Sequence, residues 1–105
     1  MNKRAQRLLP VIDMAQTAEQ EAAAKLRQYQ AALQQAQQQL QNLEHYRDDY
    51  QQQWIDKGQT GVSGQWLMNY QRFLSQLEVA IEQQQKSLAW HENNFRSSQT
   101  LWQQA

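Results

Sequence analysis

The 105-residue sequence contains no cysteine, one proline and three glycines. The absence of cysteine excludes disulfide bonds and thiolate zinc sites, and it fits a cytoplasmic location. Ten basic and ten acidic side chains balance, so charge gives no reason to expect nucleic acid as a partner. No apolar run approaches the roughly 20 residues of a membrane span, and no apolar segment typical of a signal peptide follows the basic start. We expect one domain, residues 1–105, without direct membrane insertion.

Glutamine fills 24 of the 105 positions. Such a composition is typical either of disordered chains or of the solvent-facing sides of long helices, because Gln is a good helix former. Apolar periodicity decides between the two. Alternating steps of four and three residues from Leu8 to Trp54 meet an apolar side chain at every position except Glu19 and Arg47. A 3.5-residue repeat held for more than six heptads predicts a coiled-coil helix.

A second stripe with the same spacing runs from Leu67 to Trp102, interrupted by Gln84, His91 and Ser98. The three glycines of the chain all lie between the two stripes, at positions 58, 61 and 64, where they favour a turn. Ser63 is a plausible N-cap for the second helix, and Pro10 suits a helix start, although a helix that begins further upstream remains open.

These signals predict an all-α fold of two long helices in an antiparallel coiled-coil hairpin, because a short connection makes long helices antiparallel neighbours. We expect the first helix over about residues 10–56, the turn over 57–63 and the second helix over about 64–105.

The sequence near the turn holds more aromatic side chains than one two-helix seam can enclose. The six rings are Tyr46, Tyr50, Trp54, Trp66, Tyr70 and Phe73. They can close the end of the hairpin, since aromatic clusters stabilise cores. They can also present a docking surface, because Tyr and Trp are enriched at protein interfaces. Both interpretations stay open at this point.

Residues that would indicate catalysis or metal binding are not grouped in the sequence. His45 and His91 are far apart, and the adjacent Asp48 and Asp49 point about 100° apart on a helix, which makes a poor acid–base pair. The sequence has no glycine-rich phosphate loop, nucleophile elbow or HExxH motif. We expect no enzyme activity, cofactor or metal.

Three segments of the chain carry a family resemblance. They are GVSGQWLMNYQRFLSQLEVAI at 61–81, RLLPVIDMAQTAEQEAA at 7–23 and QQLQNLEHYRDDY at 38–50. The WxxxYQxFLxxLExAI pattern in the first of these is the specific one, and nearly the whole chain resembles FliJ, a soluble component of the bacterial flagellar type III export apparatus.

The resemblance implies a set of partners and a location. FliJ proteins associate with the export ATPase ring, with the cytoplasmic linker of the export-gate membrane protein and with export chaperones, and they help to couple ATP hydrolysis to proton-driven export. The implied location is cytoplasmic, peripherally associated with the inner membrane at the flagellar base. Carried over onto this sequence, the gate-binding residues are Gln39, Leu43, Tyr46, Tyr50, Phe73, Leu77, Ala80 and Gln84.

The end of the sequence differs from the family pattern. FliJ proteins usually continue into a further charged helical segment, whereas this sequence stops at Ala105 with Leu101 and Trp102 still in the helical repeat. Whether the chain is C-terminally trimmed stays open. In a trimmed chain, gate binding by the residues near the turn would be more secure than the ATPase contacts that the family makes partly near the chain ends.

Two alternatives stay open beside a flagellar export component. One is the related stalk of a virulence type III secretion system, which shares the architecture. The other is a purely structural, self-associating coiled-coil spacer without an ATPase partner.

Overall fold

The computed structural model describes residues 3–104, apart from the side chain of residue 5, and consists of two helices. Helix α1 spans Lys3–Thr60 and helix α2 spans Gly64–Gln104. The rings of Tyr50 and Tyr70 stack across the two helices, and so do those of Trp54 and Trp66. The two residue numbers of each pair sum to 120, and such a constant sum is what antiparallel neighbours require. The predicted all-α hairpin is therefore confirmed.

The turn is shorter than predicted, because α1 continues to Thr60 and keeps Gly58 helical. Gly61 has a φ of 83°, the left-handed conformation that commonly follows a helix C-terminus and that glycine adopts without a steric penalty. Ser63 caps α2 as predicted: its Oγ accepts a hydrogen bond of 3.1 Å from the Trp66 N–H, and its carbonyl accepts one from the Leu67 N–H.

The start of α1 differs from the predicted boundary near residue 10, since the helix begins at Lys3 and contains Pro10. Proline removes one intrahelical hydrogen bond, the bond that would end on the carbonyl of Gln6. The loss is tolerated here because the side chains around it are exposed, so water can reach the free carbonyl. The favoured start at proline was therefore wrong, and the upstream alternative holds.

The chain divides into two compact units, which are described separately. The first, here called the turn unit, is Gln34–Trp90. Its buried apolar residues are Ala36, Tyr70, Leu77 and Ile81, and all four belong to the predicted stripes. Other stripe residues of this unit, such as Leu40, Leu43 and Leu88, are half-buried, because each helix covers only one side of the other.

The second, here called the terminal unit, takes in Met1–Leu33 and His91–Ala105. Ser98 is its buried polar residue, and the Ser98 hydroxyl donates a 2.8 Å hydrogen bond to the Phe95 carbonyl. Leu8 and Ile12 were predicted to lie in the seam but are 52% and 49% exposed. In a register that sums to 120 they would face positions 112 and 108, numbers that the 105-residue sequence does not contain.

The turn geometry predicts opposite effects for two glycine substitutions. Gly61→Ala should lower the free energy of unfolding by about 1 kcal/mol, because alanine is strained at positive φ. Gly58→Ala should raise it by up to about 1 kcal/mol, since Gly58 is helical and a methyl group there meets nothing within 4 Å. Urea denaturation followed by circular dichroism measures both. Equal effects of the two substitutions would contradict the assigned turn.

Candidate protein-binding site

The six aromatic rings near the turn form one connected cluster within the turn unit. Tyr70 stacks on both Tyr50 and Trp54, with ring centroids 4.8 Å apart in each case. Trp66 extends the stack, 5.6 Å from Trp54 and 5.5 Å from Tyr70. Phe73 meets Tyr50 edge-on at 4.6 Å. Because these arrangements are the ones that aromatic pairs prefer, the cluster stabilises the unit beyond the area that it buries.

The cluster is graded in exposure rather than fully enclosed. Tyr70 at its centre is 6% exposed, whereas Tyr46 at its edge is 53% exposed and touches Phe73 with ring centroids 5.9 Å apart. Phe73, Tyr50, Trp54 and Trp66 are half-buried. The two interpretations of the aromatic surplus therefore hold together: the inner rings form the core, and the outer ones leave a rigid aromatic surface in contact with solvent.

The gate-binding residues implied by the resemblance fall into two groups in the turn unit. Tyr46, Tyr50 and Phe73 are joined by ring contacts. Further from the turn, the Gln84 amide donates hydrogen bonds to the Gln39 side-chain oxygen at 3.2 Å and to the Ala36 carbonyl at 3.1 Å. The antiparallel register places Leu43, Leu77 and Ala80 between the two groups.

These residues differ in how a partner could reach them. Leu77 is 7% exposed, so its side chain can support such a surface but offers little area to contact. Gln39 and Tyr46 are exposed, and Phe73, Ala80 and Gln84 are half-buried. We name the solvent-accessible set of Gln39, Tyr46, Phe73 and Ala80 the aromatic flank. No charged residue belongs to it.

Two features of the turn unit escaped the sequence analysis. Heptad spacing placed Ala36 in the seam but gave no sign that its backbone carbonyl accepts a bond from Gln84. That contact requires a small residue at position 36, which is 3% exposed. The second feature is Ile55, which is 53% exposed beside Trp54. The position of Ile55 outside both apolar stripes was the signal in the sequence that could have identified it as exposed.

Ionisable side chains of the described residues make isolated pairs and no candidate metal cluster. His45 lies 3.4 Å from Asp49 one turn along α1, and both side chains are exposed. No group of three or more His, Cys, Asp or Glu side chains suited to a metal occurs in the part of the chain that the structure describes. Within that part, neither helix has a stretch apolar enough to cross a lipid bilayer.

The environment of Tyr70 raises the proton affinity of its phenol. Burial raises the pKa of the Tyr70 phenol above its ordinary value of 10.0, and the nearby Tyr50 and Glu78 add to the effect. The cause is desolvation, because the stacked rings around the hydroxyl favour its neutral form.

This shift predicts a stability loss in alkali. The native state holds the Tyr70 proton more tightly than the unfolded chain, so the stabilisation is complete below about pH 10 and is lost as the pH rises further. Tyr70→Phe should reduce this decline, whereas Tyr46→Phe at the exposed edge should leave it in place. Urea unfolding at pH values from about 8 to about 11 measures the slope. A parallel decline in Tyr70→Phe and the parent chain would refute the assignment.

Comparisons with known proteins identify the family. A search of curated proteins and a search of solved structures each returned no match. A family model described as "Flagellar FliJ protein" matches residues 3–105, essentially the whole chain. The chain thus belongs to the flagellar FliJ family, whose members are components of the flagellar protein export apparatus.

Proposed function

We propose that this hairpin binds the cytoplasmic linker of the export-gate protein through its aromatic flank. The observation that carries the proposal is Tyr46, which is 53% exposed yet held against Phe73 in an edge-on contact. Half-exposed rings on a firm support are what protein interfaces use for affinity, because a rigid ring loses little conformational entropy on binding.

The neutral character of the aromatic flank also supports this role. A docking surface without charges avoids the cost of desolvating ions, and the depletion of charged residues is typical of interface cores. Gln39 in the flank and Gln84 beside it add amide groups, of which the Gln39 NH₂ and the Gln84 side-chain oxygen can still bond a partner.

The wider role follows from family membership. We propose that the chain acts as a stalk-like component that contacts the export ATPase ring and export chaperones, and that it helps to couple ATP hydrolysis to proton-driven export. It would work in the cytoplasm, peripherally associated with the inner membrane at the flagellar base. Support for these partners comes from the FliJ family and from the protein-binding character of the hairpin.

Tyr46→Ala is the sharpest test of gate binding. Loss of a central aromatic contact typically costs about 2 kcal/mol, so the dissociation constant for the purified gate linker should rise about thirtyfold, and motility should fall. Folding should change little, because Tyr46 is half exposed. Isothermal titration calorimetry measures the affinity, and circular dichroism checks the helicity.

Val79→Ala is the matched control, since Val79 is 52% exposed on a different face of α2. It should leave binding and motility unchanged. Leu77→Ala is less informative, because replacing a buried leucine with alanine costs about 2–5 kcal/mol of stability. A loss of affinity in that variant could not be separated from a loss of folded protein. Wild-type affinity and motility in Tyr46→Ala would refute the proposal.

A further inference from the structure

A second surface of the turn unit lies on the side of the hairpin away from the aromatic flank. It is an open groove of about 490 Å³ whose apolar walls are Trp54, Ile55, Leu67 and Leu74 and whose rim carries the amides of Gln51 and Gln71. The exposed half of Ile55 projects here. A groove of this size between two helices can receive large apolar side chains of a partner.

Helix geometry separates this groove from the aromatic flank. At about 100° per residue, Gln51 lies about 140° around α1 from Tyr46, and Gln71 lies about 160° around α2 from Phe73. In each helix, the seam residues lie between the two members of the pair. The groove therefore opens on the other side of the seam, where a partner could bind without covering Tyr46.

The charged residues in the two helix rows that border the groove are acidic, and the nearby cation Arg47 is already paired with an aspartate. Glu44 lies seven residues before Gln51 on α1, and Glu78 lies seven residues after Gln71 on α2. Residues seven apart lie on the same side of a helix, so each glutamate is on the groove side, about 10 Å further along its helix. Among the described residues, neither forms an ion pair. The neighbouring Asp48 and Glu82 are paired, with Arg47 at 3.4 Å and Lys86 at 3.7 Å. We name the groove together with Glu44 and Glu78 the acidic groove.

We propose that the acidic groove binds a cationic amphipathic helix of a partner protein. The apolar face of such a helix would bury its side chains between Trp54, Ile55 and Leu74, and a Lys or Arg about two turns along it would reach Glu44 or Glu78. Carboxylates disfavour an anionic lipid surface or nucleic acid. A second copy of the chain bound in parallel orientation through the same groove would set the two acidic rows against each other.

The test uses a synthetic helix with leucines on one face and lysines on the other, labelled for fluorescence anisotropy against the whole chain. Glu44→Gln with Glu78→Gln should raise its dissociation constant at least about threefold, as expected for the loss of two exposed charge pairs. Ile55→Gln should raise it about tenfold, because a large apolar contact is lost. A glutamate–leucine helix of the same pattern should bind weakly.

Three matched controls make the result specific. Asp49→Asn with Asp56→Asn removes two exposed carboxylates elsewhere in the turn unit, and Val79→Gln removes an apolar side chain as exposed as Ile55; neither should change peptide binding. Tyr46→Ala should also leave it unchanged, which separates this proposal from gate binding.

Several outcomes would overturn the proposal. Equal weakening by the Glu44/Glu78 and Asp49/Asp56 pairs would mean non-specific attraction between charges. Equal binding of the glutamate–leucine helix would remove the charge argument. Sedimentation that shows a dimer of the chain, lost in Ile55→Gln, would assign the groove to self-association instead.

Discussion

Tyr70 lies between Tyr50 and Trp54 of the opposite helix, with 4.8 Å between ring centroids on each side and 6% of its surface exposed. This contact joins α1 to α2 a few residues from the turn, where a two-helix fold has little other apolar area to bury. Trp66 contacts Tyr70 directly, Phe73 is connected to it through Tyr50, and Tyr46 is connected through Phe73. The positions of Tyr46 and Phe73 at the edge of the cluster therefore depend on a core contact that lies outside the aromatic flank.

The seam divides the surface of the turn unit into two sides with different chemistry. The aromatic flank is uncharged and rigid, whereas the acidic groove is apolar at its centre and carries Glu44 and Glu78 beyond it. Two helices cannot hide both sides of their seam, so each side stays available for a different kind of partner. The two proposed sites would allow the hairpin to contact two proteins at once without any change in its backbone.

Polar residues within the seam weaken the apolar contact but do not leave unsatisfied groups. Gln84 bonds to the Ala36 carbonyl across the helices, and Ser98 bonds to a carbonyl of its own helix. No buried side-chain nitrogen or oxygen among the described residues lacks a hydrogen bond. Replacing apolar seam residues with satisfied polar ones lowers stability while favouring the one alignment in which the bonds can form.

The hairpin fold agrees with the sequence pattern and with membership of the FliJ family. The heptad stripes, the glycine cluster and the Ser63 cap are all local signals, and each corresponds to an observed feature. The start of α1 was misjudged because the penalty for proline inside a helix depends on whether water can reach the freed carbonyl, which the residue type alone does not reveal.

The sequence by itself determined the helical period, the place of the turn and the surplus of rings beside it, because these follow from residue type and spacing along the chain. Only the tertiary structure decided how deeply each ring of the cluster is buried, that Leu8 and Ile12 are exposed although they continue the stripe, and that Gln84 reaches the Ala36 carbonyl. Those properties depend on the rotation of each helix about its axis and on the side chains that the other helix places opposite. Spacing within one helix identifies the face that turns toward the seam, but it does not give the side chains that cover each residue of that face.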